Sequence, residues 1–286
     1  ALTEADGDFD KAIELLREKG LAKAAKKADR IAAEGVVCAT VCDECGVGAV
    51  IEVNSETDFV AKNADFQQFV SDLAGVVIKD VPADVEALKA CKMGDLTVQE
   101  VLQEKVLTIG ENIQIRRFER FDDSTVNVAY THMGGVIGVL VGLQVSDNLK
   151  DNATVKELGK DIGMQAAAMN PSFLDKSDVD EATLAKEKEI LLVQALEENK
   201  NAAKPKPEQI IHKMVEGRIG KYYEENCLLQ QAFVKENKVS VEQHIAAVAK
   251  ELGGEIKLAK CVRFEKGEGI EKKQDDFAAE VASMAK

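Results

Sequence analysis

Three cysteines near the start of the chain have a spacing that could support metal binding or redox chemistry. Cys38, Cys42 and Cys45 lie in the segment CATVCDEC, and C-x-x-C pairs occur in many zinc and redox sites. A structural zinc site usually needs four ligands, most often from two such pairs. The other three cysteines are isolated, and the three histidines show no ligand spacing. We therefore expect free thiols in a reducing compartment, with no bound metal or cofactor.

Residue patterns that would indicate an enzyme are missing from the sequence. It contains no P-loop, G-x-S-x-G, H-E-x-x-H or complete G-x-G-x-x-G motif. Asp122 and Asp123 are adjacent carboxylates, which are usually part of a solvated turn. His132 has no serine or cysteine near it in sequence that could serve as a nucleophile. The sequence predicts a protein that acts by binding, without a catalytic site.

The segment ETDFVAKN, residues 56–63, places a phenylalanine beside a carboxylate between a predicted strand and a predicted helix. The strand is the apolar run GAVIEV, and Asn63 is expected to cap the helix that follows. The helix is predicted from a stripe at spacings of three and four: Phe66, Phe69, Val70, Leu73 and Val77. Phe59 has two interpretations. It could extend the core stripe, since it lies seven residues before Phe66, or it could be an exposed anchor for a partner's pocket.

The overall composition is that of an acidic globular protein. The 286 residues suffice for two domains, and 45% of them are hydrophobic and 31% charged. The net charge of −14 argues against nucleic-acid binding, which requires cationic density. No apolar run approaches the ~20 residues needed to span a membrane, and the N-terminus lacks signal-peptide features. We expect a cytoplasmic protein whose partners are proteins.

Two parts of the chain show the same order of predicted elements. In the first, at 35–123, a β-rich hairpin precedes the helix after Asn63, a helical insertion at about 82–108 and the strand NIQIRRFERF. The second begins with the hairpin at 125–145 and closes with the strand at 255–269. Its helix is predicted from Val155, Leu158, Ile162, Ala166 and Met169. The repeat predicts an α+β fold of two related hairpin–helix–strand subdomains.

Additional helices are predicted between and around these subdomains. Two apolar stripes separated by the sequence Lys204-Pro205-Lys206-Pro207 predict a helical hairpin that projects as a coiled-coil arm. At the N-terminus, Asp8 and Gly20 are placed to begin and end a short helix. At the C-terminus, Phe277, Val281 and Met284 predict an amphipathic helix that either packs on its own domain or docks on a partner.

The segment SETDFVAKNADFQQF resembles the signature of the translation elongation factor Ts family. Three further segments resemble the same family in the expected order: IGENIQIRRFER (109–120), KMVEGRIGKYYEENCLLQQAFVKEN (213–237) and RFEKGEGIEKKQDDFAAEVA (263–282). The resemblance covers essentially the whole chain. It implies a guanine-nucleotide exchange factor that binds elongation factor Tu, GDP-bound and nucleotide-free, and promotes GDP release without a catalytic chemical step.

The resemblance also implies roles for individual residues and segments. The partner-binding residues would be Thr57, Asp58, Phe59, Val60, Ile109, Gly110, His132, Phe233 and Val234. Phe59 would insert near the partner's magnesium and phosphate site, and Asp58 would orient its turn. The arm would mediate homodimerisation or docking, and the C-terminal module would contact elongation factor Tu. Residues 1–19 would be the last part of a ubiquitin-associated-like three-helix module that begins before this chain.

These inferences define the expected organisation and one alternative function. The expected segments are a partial ubiquitin-associated-like module at 1–19, a linker at 20–34, core subdomains at 35–123 and at 124–177 with 227–264, the arm at 178–226 and a C-terminal module at 265–286. The alternative is an adaptor that tethers proteins through its N-terminal module and its arm, without exchange activity.

Overall fold

The computed structural model describes residues 1–271 other than 10, 12, 13, 17, 19, 21, 23–25, 203 and 204. The chain divides into two compact units. Of the described residues, the first contains those in Ala1–Asp122, Thr131–Gly138 and 264–271; the second contains those in Asp123–Tyr130 and Val139–Arg263. Helices and sheets both contribute to the described residues, which confirms the α+β class. The finer division into six segments stays a prediction.

The first unit is built on a three-stranded antiparallel sheet in which the second strand lies in the middle. The elements from residue 34 onward are β1 (Glu34–Val41), β2 (Gly48–Ser55), α1 (Asp58–Ala61), α2 (Ala64–Asp80), α3 (Val85–Ala90), β3 (Lys92–Met93), β4 (Leu96–Thr97), α4 (Val98–Ile109) and β5 (Gln114–Phe121). The strand order is β1-β2-β5. The segment predicted as a helical insertion therefore contains two helices and also the small β3–β4 hairpin, which the apolar spacing did not reveal.

Helix α2 covers this sheet with the stripe that the sequence predicted. All five stripe residues are buried in one core with residues of β2: Phe66, Phe69, Val70, Leu73 and Val77. Asn63 is the N-cap, and its Oδ1 accepts hydrogen bonds from the backbone N–H groups of Asp65 at 2.8 Å and Phe66 at 3.1 Å. Both the stripe and the cap are confirmed.

The pairing of β5 with β2 is interrupted by a register shift. Ile115 pairs with Val53 and Arg117 pairs with Glu52, so Arg116 is an additional residue in a β-bulge. A bulge places two consecutive residues opposite one residue of the neighbouring strand. Both guanidinium groups therefore reach the buried carboxylate of Glu52, with N···O distances of 2.9 Å from Arg116 and 2.6 Å from Arg117.

The N-terminal segment forms helical turns whose end differs from the prediction. Asp8 accepts a hydrogen bond from the backbone N–H of Lys11 at 3.2 Å, as expected of a cap. Gly20 was expected to end the helix, but residues 20 and 22 are both helical, so that prediction is wrong. A Cβ at Gly20 would lie 2.5 Å from Leu107 Cδ1 on α4. The glycine therefore permits a close approach between two helices.

The second hairpin–helix–strand unit repeats the strand arrangement of the first. The remaining elements are β6 (Val126–His132), β7 (Ile137–Val145), α5 (Ala153–Met169), α6 (Glu181–Lys200), α7 (Glu208–Asn226), β8 (Ala232–Phe233), β9 (Glu236–Ser240), α8 (Val241–Leu252) and β10 (Ile256–Glu265). The strand order β10-β7-β6 again places the second hairpin strand in the middle and the closing strand beside it. Both three-stranded sheets therefore have the second strand of a hairpin in the middle.

Two glycines allow α5 to pack tightly on β6. A Cβ at Gly159 would lie 2.5 Å from Val128, and one at Gly163 would lie 2.6 Å from Tyr130. Because residues four apart share one face of a helix, the two glycines form a groove for these strand residues. The helix predicted through Met169 does end at that residue; the other four residues of the predicted stripe are buried, and Met169 is 46% exposed.

Helices α6 and α7 pack against each other. Ala195, Ile211 and Val215 are buried at their contact, with Leu191 and Leu192 packed beside them. No described helix is both long and apolar enough to cross a lipid bilayer. The predicted C-terminal helix with Phe277, Val281 and Met284 lies outside the described residues.

Candidate partner-binding site

Phe59 is the most exposed large hydrophobic side chain among the described residues, at 81%. It lies on α1, a single helical turn that ends before the extended backbone of Asn63 begins α2. A spacing of seven keeps two residues on one face only within a continuous helix. Since the helix is interrupted between Phe59 and Phe66, the core interpretation of Phe59 is wrong and the exposed position is confirmed.

The other side of the same helical turn is anchored in the core. Val60 and Ala61 are 9% and 7% exposed and belong to the core cluster beneath α2. Thr57 is the N-cap of α1, and its hydroxyl oxygen accepts from the Val60 N–H at 3.5 Å. The turn therefore exposes Phe59 to solvent while its neighbours Val60 and Ala61 are buried in the core.

Glu111 fixes this turn from a distant part of the chain. Its Oε2 accepts hydrogen bonds from the backbone N–H groups of Glu56 and Thr57, both at 3.0 Å. Its Oε1 accepts from the Thr57 hydroxyl at 2.6 Å. In return, the Glu56 carboxylate accepts from the Asn112 N–H at 2.6 Å. We call these four bonds the Glu111 clasp. The sequence analysis missed Glu111, although it directly follows two of the predicted contact residues.

The predicted residues Ile109 and Gly110 directly precede Glu111 in the chain. Ile109 ends α4 and packs, partly buried, against the core of the first unit. Gly110 follows with φ of 87°, a left-handed conformation that glycine adopts without a steric penalty. The chain reverses there and brings Glu111 to Thr57. The structure therefore joins Ile109 and Gly110 to the turn that carries Phe59.

Asp58 lies next to Phe59 and is paired with a neighbouring lysine. Lys62 Nζ lies 2.6 Å from Asp58 Oδ2, one helical turn along. The hydrogen bond from Lys62 lowers the pKa of Asp58 below its ordinary value. The Asp58 side chain is 47% exposed, so an anionic group and an apolar ring lie side by side on this surface.

His132 is the last residue of β6 and directly precedes the turn to β7; residues Thr131–Gly138, which include both, belong to the first unit. The turn is attached to β1 by a 2.8 Å hydrogen bond from the Val37 N–H to the Gly135 carbonyl. His132 is exposed, and the adjacent Met133 is 72% exposed with φ of 49°. Met133 was not predicted as a site residue, because a methionine in a hairpin has no distinctive sequence signal.

Phe233 and Val234 lie in the second unit and differ strongly in exposure. Phe233 is 2% exposed and stacks on His244, with ring centroids 4.1 Å apart. Val234 is 41% exposed, and its N–H donates to the fully buried Gln165 at 2.8 Å. The Phe233 ring supports this hairpin from beneath, so a partner would meet Val234 rather than the ring.

The described residues contain no group of three or more His, Cys, Asp or Glu placed to bind a metal ion. All six cysteines are free thiols. The first unit presents an exposed aromatic ring on a turn that is held by hydrogen bonds and by buried neighbours. This geometry is suited to contact with another protein.

Comparison with known proteins identifies the family. The family model described as Elongation factor TS matches residues 56–268. The chain is 48% identical to elongation factor Ts of Syntrophotalea carbinolica, over 100% of this chain and 92% of that protein. It is 50% identical to elongation factor Ts of Clostridium kluyveri, over 98% and 90% of the two chains, and of Clostridium perfringens, over 99% and 91%. This chain belongs to the elongation factor Ts family, whose members act in translation elongation during protein biosynthesis.

Proposed function

We propose that this protein is a guanine-nucleotide exchange factor for elongation factor Tu. Family membership supports this role, and the observation that carries it is the 81% exposure of Phe59 on a turn fixed by the Glu111 clasp. The partner would be bound in its GDP-bound and nucleotide-free states, in the cytoplasm. No chemical step by this chain is required, because exchange consists of the release of one ligand and the binding of another.

The energetics of exchange require several surfaces to act together. A factor that binds the nucleotide-free partner more tightly than the GDP-bound partner weakens GDP binding by the same coupling free energy. Accelerating release a thousandfold requires a barrier reduction of roughly 4 kcal/mol. Burial of one phenylalanine contributes only about 1.5–3 kcal/mol. Phe59 therefore needs additional contacts, for which Ile109, Gly110, His132 and the Phe233–Val234 hairpin are the proposed sources.

The fixed turn makes insertion of Phe59 energetically efficient. An aromatic side chain that is already oriented loses little conformational freedom on binding, so more of the burial energy is available for displacing GDP. We propose that the ring enters a cleft near the partner's magnesium and phosphate site. The Asp58 carboxylate beside it would orient the turn or compete for the groups that organise the metal.

The arm offers a second proposed contact surface. Several apolar side chains along it are exposed: Ile190 at 44%, Val193 at 62%, Leu196 at 39% and Ile210 at 46%. Apolar residues that face away from the α6–α7 contact suit docking on a partner or formation of a homodimer. Sedimentation of the purified chain over a range of concentrations distinguishes a monomer from a dimer.

The decisive measurement is the release of fluorescently labelled GDP from elongation factor Tu, with and without this protein. We expect the wild-type chain to accelerate release and Phe59→Ala to slow the catalysed rate about tenfold or more, since a factor of ten is only about 1.4 kcal/mol. The matched control is Phe9→Ala, because Phe9 is also an exposed phenylalanine, at 71%. At saturating protein concentration the control should retain the wild-type rate.

Circular dichroism and thermal unfolding of both variants keep this test interpretable. Replacing a side chain that is 81% exposed should leave the unfolding temperature nearly unchanged. A folded Phe59→Ala variant that still exchanges at the wild-type rate would refute insertion of this ring. A wild-type chain that leaves GDP release unaltered would refute the exchange function itself.

A further inference from the structure

The tip of the β1–β2 hairpin brings the backbone of one cysteine into contact with the sulfur of another. Cys42 and Cys45 are separated by Asp43 and Glu44, and the turn is closed by hydrogen bonds between the Cys42 backbone and residues 46 and 47, each 2.9 Å long. The Cys45 N–H donates to the Cys42 sulfur at 3.4 Å. Because an N–Cα bond is only about 1.5 Å long, the Cα of Cys45 lies within about 5 Å of that sulfur.

Two cysteines placed this close across a closed turn are candidates for a disulfide. Bonded cysteines have Cα atoms usually about 4.4–6.8 Å apart, so little backbone movement is needed to join residues already in contact across a turn. Cys45 is exposed and Cys42 is half-buried, so both sulfurs can meet a small reagent. No third ligand accompanies them among the described residues, which leaves a dithiol rather than an intrachain metal site.

We propose that Cys42 and Cys45 form a reversible dithiol–disulfide site whose oxidant is the disulfide of a small thiol. The Cys42 thiolate attacks one sulfur of the small disulfide, forms a mixed disulfide and releases one thiolate. The Cys45 thiolate then attacks the Cys42 sulfur and releases the second thiolate. The two protons lost by the cysteines are taken up by the two released thiolates, so two thiols are oxidised and one disulfide is reduced.

Thiolate stability favours Cys42 as the attacking group. Its pKa is lowered by hydrogen bonds from the Cys45 side chain and from the backbone, against an opposing effect of the Glu44 carboxylate. Burial raises the pKa of the Cys38, Cys91, Cys227 and Cys261 thiols, to about 11 for Cys227 and about 12 for Cys261. The acidic residues Asp43 and Glu44 also repel anions, so a neutral disulfide should react faster than an anionic one.

The site is independent of the proposed exchange function. It lies at one end of β2, whereas the turn that carries Phe59 follows the other end. The eight residues of β2 span about 24 Å at the usual rise of a strand. Oxidation at the hairpin tip is therefore expected to leave the position of Phe59 unchanged.

The test follows oxidation of the reduced full chain by 2-hydroxyethyl disulfide, a neutral probe. Samples are quenched with acid, remaining thiols are alkylated, and peptides are mapped by mass spectrometry. We expect an internal Cys42–Cys45 disulfide, with Cys42 reacting about tenfold or more faster than Cys91. Cys45→Ser should trap the mixed disulfide on Cys42, whereas the control Cys91→Ser should leave the oxidation at the tip unchanged.

Two further measurements sharpen the result. Oxidised glutathione, an anionic disulfide, should react more slowly than the neutral probe, and Glu44→Gln should reduce that difference. Reduction by excess dithiothreitol should restore both thiols. The proposal is overturned if Cys42 reacts no faster than Cys91, if the wild-type chain retains mixed disulfides, or if Cys42 pairs with a cysteine other than Cys45.

Discussion

The side chain of Phe59 is exposed, while the residues on either side of its turn are held in place. On one side Glu111 binds the backbone of Glu56 and Thr57, and on the other Val60 is buried in the core. An exposed apolar ring on a mobile loop would lose entropy when it binds, whereas one on a fixed turn loses little. The role of Phe59 therefore depends on Glu111, which lies 54 residues beyond Thr57 in the chain.

Glu111→Ala is expected to loosen the turn without unfolding the protein. Removing the carboxylate leaves two backbone N–H groups and one hydroxyl without their acceptor. Amide hydrogen exchange at Glu56 and Thr57 should accelerate about tenfold or more. GDP release catalysed by this variant should be about three- to tenfold slower, because Phe59 is less well oriented.

Two variants separate the position of Glu111 from its charge. Glu119→Ala removes an equal charge from an exposed position on β5 and should change neither measurement. Glu111→Gln keeps one carbonyl oxygen as an acceptor. Its rates of amide hydrogen exchange and of catalysed GDP release should therefore lie between those of Glu111→Ala and the wild type. Unchanged protection of the Glu56 and Thr57 amides in Glu111→Ala would show that the clasp does not hold the turn.

Among the secondary-structure elements, the bulge in β5 has the largest structural consequence. It directs Arg116 and Arg117 to the same buried carboxylate of Glu52. The Gly267 N–H also donates to Glu52, at 2.7 Å, and the Arg117 guanidinium lies 4.2 Å above the Phe264 ring. A strand that alternated strictly would have sent one arginine to the opposite face. The bulge therefore lets the sheet attach the segment that follows β10.

Glu52→Gln should destabilise the first unit by about 2–3 kcal/mol, measured by urea unfolding. Breaking a buried ion pair usually has a larger effect, of about 3–5 kcal/mol, but both arginines remain partly exposed and can be hydrated. The control Glu119→Gln alters an exposed carboxylate on β5. Its free energy of unfolding should stay within about 0.5 kcal/mol of the wild-type value. Equal stability changes in the two variants would contradict a structural role for the buried carboxylate.

At the scale of the whole molecule, the segment before β1 is attached to the first unit rather than free of it. The Asn112 side chain donates to the carbonyls of Ala28 at 3.2 Å and Arg30 at 2.7 Å. Arg30 also lies 3.6 Å from Glu56, and Glu34 pairs with Lys266. Residues 28–34 therefore contribute to the unit that carries Phe59.

Deleting residues 1–25 distinguishes an exchange factor from an adaptor. An exchange factor should keep its maximal rate of GDP release after this deletion. The only change should be that a higher concentration of the factor is needed to reach half that rate. An adaptor that tethers proteins through its N-terminal module would lose its activity altogether. The deletion ends before Ala28, so the hydrogen bonds of Asn112 are preserved. Loss of the maximal rate in a stable, folded deletion variant would favour the adaptor.

Much of this protein is determined by local sequence. Apolar spacing predicts the buried stripe of α2, and the side chain of Asn63 predicts where that helix begins. The repeated order of hairpin, helix and strand predicts the α+β class, and the segment around Phe59 predicts the family that the comparisons show. These features are readable because they depend on periodicity and capping among neighbouring residues.

Other features were decided only by tertiary structure. The exposure of Phe59 depends on the break between α1 and α2, and its fixed turn depends on Glu111, two residues beyond the end of α4. The shared contact of two consecutive arginines with Glu52 depends on the pairing register between strands. Each of these results from contacts between residues far apart in sequence, whose energies no local pattern records.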